Sequence, residues 1–166
     1  MRRGLVLLMA LALAACATAQ KLGAANDVHA LLIAIRDGDQ QAFEAYVDRP
    51  ALQHEIEGRL MAEAGRDKRF SGVAALLAPS LAQLAGDALV QPRVFRKVAE
   101  HYGYTPATKI PNALIISQAL RRLPDGRVCA VRSKDGPCLL DFTQGPDGRW
   151  RLSGFEGELS MLRLKG

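Results

Sequence analysis

Apolar residues recur at helical spacing through the first half of the chain. After Asp27 they occupy positions i, i+3, i+4 and i+7, which places them on one face of a helix. These residues are Val28, Leu31, Leu32 and Ile35. Gly38 suits the end of that helix, and Asp39 suits the cap of the next one. We therefore predict that residues 27–103 are helical.

Two shorter helices follow in the prediction. The first buries a stripe of Phe43, Tyr46 and Val47. Pro50 suits the first turn of the second helix, because its ring fixes a helical φ. That helix repeats apolar residues at every fourth position: Leu52, Ile56 and Leu60. Charged residues between positions 65 and 70 predict a loop after it.

An alanine- and leucine-rich segment, Ser71–Val90, is long enough to be the central buried helix. Pro79 is expected to bend or split it, because an interior proline removes a hydrogen bond at a cost of about 3 kcal/mol. Pro92 then starts a last helix, which Gly103 ends. Residues 104–112 have little periodicity and form a predicted linker.

The period of the pattern changes in the second half, residues 113–164. Turn signals recur there about every eleven residues, which suits strands joined by hairpins. They are Pro124-Asp125-Gly126, Asp135-Gly136-Pro137 and Pro146-Asp147-Gly148. Trp150 and Leu152 alternate with polar residues and share a face of the last strand. The predicted fold class is α+β: N-terminal helices packed on a C-terminal antiparallel β-meander, in a single domain over residues 27–166.

The strand half contains two cysteines, Cys129 and Cys138. We predict that Cys129 shares a face with Val131. We predict that Cys138 shares a face with Leu140 and Phe142. If the turn between the cysteines closes a hairpin, they can form a disulfide, since side chains sit within roughly 5 Å only in direct cross-strand pairs. A shift of one residue in register leaves two small buried thiols instead.

The N-terminal residues have the composition of a targeting segment and not of the folded domain. Arg2 and Arg3 precede an apolar run, Leu5–Ala15, which is typical of an export signal. The run is shorter than the about 20 residues that a membrane-crossing helix needs, and polar residues follow it closely. We therefore predict a signal peptide over residues 1–15.

Two cleavage sites compete at the end of this signal. Leu13-Ala14-Ala15-Cys16 resembles the bacterial lipobox, whose cysteine is acylated, so Cys16 is the predicted lipidation site. Ala17-Thr18-Ala19 fits the small-x-small rule of the ordinary signal peptidase, which would release a soluble periplasmic protein. Ala17 after the cysteine resembles lipoproteins that are sorted to an outer membrane. The prediction favours lipidation, with residues 16–26 as a tether.

The distribution of charge along the chain bears on the kind of partner that the protein can bind. The 166-residue chain has a formal net charge of +5, which falls to +3 once Arg2 and Arg3 are removed with the signal. Basic residues are spread along the chain and do not cluster on one stripe, as they do in proteins that bind nucleic acid. The predicted partner is the membrane, reached through a lipidated Cys16, and not nucleic acid.

A set of short segments spans most of the chain. They are Ala34-Ile35-Arg36-Asp37-Gly38-Asp39, Phe43, Val47-Asp48, Pro50-Ala51-Leu52, Ala88-Leu89-Val90-Gln91-Pro92 and Trp150-Arg151-Leu152. In this combination the chain resembles a bacterial envelope family, domain of unknown function 2939, over about residues 27–155. The segments mark helix ends and a strand, so the resemblance implies no catalytic residue. Cys129 and Cys138 lie outside its pattern.

The sequence predicts no catalytic, cofactor-binding or metal-binding residue. His29, His54 and His101 share no ligand spacing, and Gly58 stands where a zinc-protease motif beginning at His54 needs its second histidine. The serines lack a nucleophile-elbow pattern. The carboxylates closest together in sequence suit helix ends and caps: Asp37, Asp39 and Asp48.

Two functional hypotheses remain open from the sequence. The favoured one is an exported envelope lipoprotein whose domain is a non-catalytic binding or structural module, with an envelope protein or a small ligand as partner. The alternative follows from the shape, which is similar to the nuclear-transport-factor-like cone, a fold that often encloses a pocket. Such a pocket could bind a small ligand or carry an enzymatic site, but a fold does not by itself give a function.

Overall fold

The computed structural model describes residues 2–66, 77, 80, 83–84, 86–101 and 103–155. The helices are α1 (Arg2–Asp37), α2 (Gln40–Ala45), α3 (Arg49–Arg66), α4 (Pro92–His101) and α5 (Ala113–Gln118). The strands are β1 (Leu120–Arg122), β2 (Val128–Val131), β3 (Cys138–Gln144) and β4 (Trp150–Phe155). The fold class is α+β, as predicted, with the helices preceding an antiparallel sheet.

The first helix runs without a break through the predicted signal, the predicted tether and the predicted first helix. Ala24 and Ala25 are fully buried within it. Alanine suits these positions because it favours the helix and, being small, lets neighbouring elements approach closely. The C-terminal part of the predicted tether, residues 16–26, is therefore packed into the domain, where α1 contacts α2, α4, α5, β1 and β4.

Some helix predictions differ from the structure. Leu32, which we placed on the buried face, is 36% exposed, whereas Ala34 is buried. Gly65 and Arg66 were predicted to start a loop and instead end α3. The segment Ser71–Val90 lies largely outside the described residues, but three of its described leucines are exposed: Leu77, Leu84 and Leu89. Among the described helices, α1 packs against two strands, β1 and β4, and against three other helices.

Helix ends follow the predicted local chemistry. Gly38 after α1 and Gly103 after α4 have φ of +72° and +87°, a conformation that glycine adopts at little cost. Asp39 caps α2, since its Oδ1 accepts the backbone N–H of residue 42 at 3.0 Å. Asp48 caps α3 in the same way, at 3.1 Å to residue 51. Pro92 is the first residue of α4, as predicted.

The four strands pair in the order β1-β2-β3-β4, each antiparallel to the next, which is the predicted meander. Gly126 and Gly148 take positive φ in the first and last turns. The strand half begins later than predicted, because Ala113–Gln118 is helix α5. Asn112 starts that helix, since its Oδ1 accepts the N–H of Ile115 at 3.1 Å.

The sheet has two different faces. One face packs on the helices and is filled by large apolar side chains: Val128, Phe142, Trp150 and Leu152. The opposite face carries a smaller cluster in which Cys129, Val131 and Cys138 contact Leu123. Cys138 was predicted to share a face with Leu140 and Phe142, and that is wrong. At the bulge beside Val131, two steps along β3 match one step along β2, and this shifts Cys138 to the other face.

The outer edge of β4 is covered by the helical half. The N–H of Trp150 donates to Oδ2 of Asp27 in α1 at 2.8 Å. The N–H of Leu152 donates to the carbonyl of Tyr46 at 2.9 Å, next to a parallel bridge between Val47 and Leu152. The N–H of Phe155 donates to Oε2 of Glu55 in α3 at 3.1 Å. These hydrogen bonds occupy the free N–H groups of the edge strand, which protects it from pairing with a strand of another chain.

Candidate functional site

A groove lies where α1 enters the folded domain. It has a volume of about 250 Å³ and is formed by three elements of the fold, of which α1 is distant in sequence from the other two. Thr18, Lys21 and Leu22 come from α1, Leu114 and Ser117 from α5, and Arg122 from β1. The groove thus combines two apolar side chains with two cations. It begins two residues after Cys16, the predicted lipidation site.

Helix α5 is held so that two of its apolar side chains face outward. Ile116 is buried in the main core, whereas Leu114 is 66% exposed and Ile115 is 54% exposed. The chain just before α5 is tied to α1 by a 2.8 Å hydrogen bond between Nδ1 of His29 and the carbonyl of Pro111. The outward position of these side chains is therefore fixed by buried contacts on the other side of the helix.

The segments that form the groove contain no acidic residue in the sequence. Residues 1–26 and 103–124 have no aspartate or glutamate, but they include Lys21, Arg121 and Arg122. Arg121 is already engaged, since its guanidinium donates to the carbonyl of Gly136 at 2.9 Å. Lys21 and Arg122 line the groove itself. The groove therefore offers positive charge beside apolar surface.

A second cluster lies on the opposite face of the sheet, around the disulfide. Cys129 and Cys138 are bonded, with their Cα atoms 5.5 Å apart, which confirms the predicted pairing. They are not a direct cross-strand pair, because Cys129 lies opposite Asp141 and Cys138 opposite Val131. The bulge beside Val131 brings the two sulfur atoms together on the diagonal. Arg121 donates to Sγ of Cys138 at 3.4 Å.

Asp141 lies beside this disulfide and is nearly buried. Arg127 donates to its Oδ2 at 3.2 Å. Potential ligand atoms of Cys129, Cys138 and Asp141 lie within 4.8 Å of one another. Metal ions bind thiolates, and both sulfur atoms are here joined to each other, so the donor set does not suit a metal in this form. In the disulfide form the cluster links β2 to β3.

Hydrogen bonds from arginines change the acidity of two turn carboxylates. Arg127 donates to Asp125 at 2.7 Å, and this bond lowers the pKa of the Asp125 carboxyl and raises the pKa of Arg127. Arg151 donates to Asp147 at 2.6 Å and lowers the pKa of Asp147 in the same way. Both aspartates belong to predicted hairpin turns, so we interpret these hydrogen bonds as stabilising the turns and not as part of an acid–base site.

The histidines are not brought together by the fold. His29 contacts the carbonyl of Pro111, at the start of α5. His54 is exposed on α3, with Nδ1 3.9 Å from Glu57. His101 is exposed at the end of α4. Their separate positions agree with the absence of a shared ligand spacing in the sequence. Of the serines that lack a nucleophile-elbow pattern, Ser71 and Ser160 lie outside the described residues.

Several important polar residues were not predicted from the sequence. Besides Asp27 and Glu55, these include Arg49 and Arg59. Arg49 reaches from α3 to the carbonyl of Val90 at 2.8 Å and also contacts Glu44. Arg59 stacks 4.4 Å from the ring centre of Phe155 and pairs with Glu55 at 2.6 Å. Their contacts with Val90 and Phe155 join residues far apart in sequence, so local spacing carries no signal for them, whereas the four-residue spacing of Glu55 and Arg59 is a local signal for that ion pair.

A comparison with protein families matches residues 9–98 to the family described as "Protein of unknown function (DUF2939)", which is more than half of the chain. The chain belongs to this family. The DUF2939 match begins in α1 and ends in α4, so it starts and ends earlier than the predicted 27–155. Trp150-Arg151-Leu152 lies beyond it, as do Cys129 and Cys138. No curated protein and no solved structure matches the chain.

The described helices were also compared with the requirements for crossing a membrane. Among the residues that the structure describes, no helix combines the necessary length and apolar character.

Proposed function

We propose that this DUF2939 protein is a lipoprotein of the bacterial cell envelope, held on the periplasmic side of a membrane by an acylated Cys16. The observation that carries the proposal is the sequence Leu13-Ala14-Ala15-Cys16, which directly ends the apolar run after Arg2 and Arg3. Ala17 favours the outer membrane. Two or more acyl chains give stable attachment, since each buried methylene contributes about 0.8 kcal/mol.

The position of the cleavage sites in α1 is compatible with this processing. Among the α1 residues whose burial the structure describes, 18–37, the first buried one is Ala24, which follows both Cys16 and the alternative cleavage point after Ala19. Both cleavage points therefore precede the first of these buried residues. The Cys129–Cys138 disulfide also suits export, because disulfides persist in oxidising compartments.

We propose further that the domain acts by binding and not by catalysis. Carboxylates that would be candidates for acid–base chemistry are used to hold backbone N–H groups. Asp39 and Asp48 cap helices, and Asp27 and Glu55 hold the edge of β4. A general acid or base needs a proton-transfer partner within hydrogen-bonding reach of substrate, and these groups are already engaged.

The alternative of an enzymatic or ligand pocket on a cone-like fold has less support. Such a pocket needs space over the concave face of the sheet. Phe142, Trp150 and Leu152 fill that face and are nearly fully buried against the helices. Two further residues of the sheet do not help to fill this face, because Cys129 lies on the opposite face and Leu140 is partly exposed. The groove beside α1 lies outside this packed face.

Replacement of Cys16 by serine tests the anchor. We expect Cys16→Ser to move the protein from the membrane fraction to the soluble fraction and to remove acyl mass from its N-terminal peptide. The matched control is the double variant Cys129→Ser/Cys138→Ser, which should keep both membrane attachment and acylation. Unchanged membrane association of Cys16→Ser, or an N-terminus at Gln20 in the normal protein, counts against the proposal.

A further inference from the structure

We propose that the groove between α1 and α5 is a membrane-contact surface that binds phospholipid headgroups. Lys21 and Arg122 contact the phosphates, and Leu114 and Ile115 enter the interfacial layer of the bilayer. This inference rests on the proposed attachment at Cys16 and adds a second, reversible contact to it. Acylation alone leaves a domain free to rotate about its anchor, whereas this contact fixes its orientation on the membrane.

The distance from Cys16 supports a lipid surface as the occupant. Residues rise about 1.5 Å each along a helix, so Thr18 lies about 3 Å and Leu22 about 9 Å from Cys16 along α1. A headgroup layer is roughly 5–7 Å thick on each side of the hydrocarbon core. With Cys16 acylated at the bilayer surface, the groove lies within or directly against this layer. α1 is continuous from Arg2 to Asp37, so no flexible spacer separates the groove from Cys16.

The shape of the apolar surface fits the interfacial layer. Leu114 and Ile115 are more than half exposed on one short helix, and Leu22 is 42% exposed beside them. Grouped exposed apolar side chains mark interaction surfaces, and single ones do not. A helix with one buried face and leucine or isoleucine on the other can lie in the plane of a membrane interface. Ile116 holds α5 in that position from the core side.

The charge of the surface selects anionic headgroups. The segments that form the groove contain no aspartate or glutamate, so Lys21 and Arg122 are not opposed by an acid of the same segments. Basic residues close to an anionic bilayer each strengthen binding by about 5-fold. A protein partner would need acidic groups at matching positions, whereas a bilayer presents phosphates at any position.

Photocrosslinking in intact cells tests the surface in the full chain. We replace Leu114 with p-benzoylphenylalanine and identify adducts by mass spectrometry. Leu139, exposed on β3, is the matched control position. We expect phospholipid adducts at position 114 and few at position 139. Adducts of position 114 with another protein, similar lipid labelling at both positions, or no adduct at position 114 overturn the proposal.

Fractionation of the same cells separates this proposal from the anchor. A soluble protein counts against attachment at Cys16, whereas a membrane-bound protein without phospholipid adducts at position 114 counts against the groove alone. In a second experiment, the Cys16→Ser protein is mixed with phosphatidylglycerol vesicles at low salt. Lys21→Gln/Arg122→Gln should weaken binding by about 5-fold for each cation removed.

The control for the vesicle experiment is Arg132→Gln/Lys134→Gln, in the exposed segment between β2 and β3. This pair removes the same charge at a site away from the groove and should leave binding nearly unchanged. Equal weakening by both pairs indicates attraction by net charge and overturns the assignment to the groove. Absence of binding by the Cys16→Ser protein to these vesicles also overturns it.

Discussion

The backbone N–H of Trp150 donates a 2.8 Å hydrogen bond to the carboxylate of Asp27, although 123 residues separate them in sequence. This bond joins α1 to the outer edge of the sheet. Tyr46 and Glu55 accept the N–H groups of Leu152 and Phe155 on the same edge. The helical half therefore does more than cover the apolar face of the sheet, because it also completes the hydrogen bonding of β4.

Asp27→Ala should lower the free energy of unfolding by about 1.5–3 kcal/mol, because a hydrogen bond to a charged group is lost and the N–H of Trp150 is left without its acceptor. Asp27→Asn keeps an acceptor for this N–H and should lower the free energy of unfolding by less. Urea denaturation followed by the fluorescence of Trp150 measures both. Asp37→Asn is the control, since Asp37 is exposed and pairs with Arg36. Equal stability of Asp27→Ala and Asp37→Asn contradicts the role of Asp27.

Reduction of the disulfide should destabilise the domain by about 2–3 kcal/mol, because the bond closes a short loop in the unfolded chain. The bond joins residues nine apart in sequence. Denaturation with and without a phosphine reductant measures the difference. Cys129→Ser/Cys138→Ser should be insensitive to the reductant. Two thiols that titrate in denatured, unreduced protein would show that the bond does not form.

Acid should weaken the two hairpin turns that contain aspartate–arginine pairs. The pKa values of Asp125 and Asp147 are lowered by hydrogen bonds from Arg127 and Arg151. Because the folded pKa lies below the unfolded pKa, the contribution to stability is complete above the unfolded pKa. It is lost as the pH falls through the folded pKa.

Carboxyl titration by NMR measures this shift in each turn separately. Arg127→Gln should move the midpoint of Asp125 upward, towards its ordinary value, and leave Asp147 unchanged because Arg151 remains. Arg151→Gln should have the reverse effect. An Asp125 midpoint that stays the same in Arg127→Gln contradicts the assigned cause.

Gly23→Ala should stabilise the protein by about 0.5–1 kcal/mol, because glycine inside a helix is less favourable than alanine. An added Cβ meets Nε1 of Trp150 at 3.8 Å, an ordinary contact. Gly154→Ala is the contrasting variant, since its Cβ falls 2.8 Å from Oε2 of Glu55 and displaces the oxygen that accepts the N–H of Phe155. Loss of this hydrogen bond should destabilise the protein by about 1–3 kcal/mol. Thermal unfolding of both variants gives the comparison. Destabilisation by Gly23→Ala would show that α1 packs more tightly against β4 than these distances allow.

Much of the fold follows from short-range patterns. Gly38, Asp39 and Asp48 end or cap helices where the sequence predicts it, because these effects act within one helical turn. The hairpin turns and the order of the meander follow from Asp-Gly signals in the same way. The lipidation motif at Cys16 is also local, and the candidate site beside it begins two residues later in the same helix.

Features that depend on contacts between residues distant in sequence were decided by the tertiary structure. The burial of Ala24 and Ala25 depends on the contacts of α1 with three other helices and two strands. The face of Cys138 depends on the bulge beside Val131, which hydrophobic alternation does not encode. The groove exists because Lys21, Leu114 and Arg122 come together from separate segments. The sequence by itself determined the end of α1, the caps of α2 and α3 and the hairpin turns through short-range chemistry. Only packing determined the contacts of α1, the covered edge of β4, the diagonal approach of the two cysteines and the cationic groove.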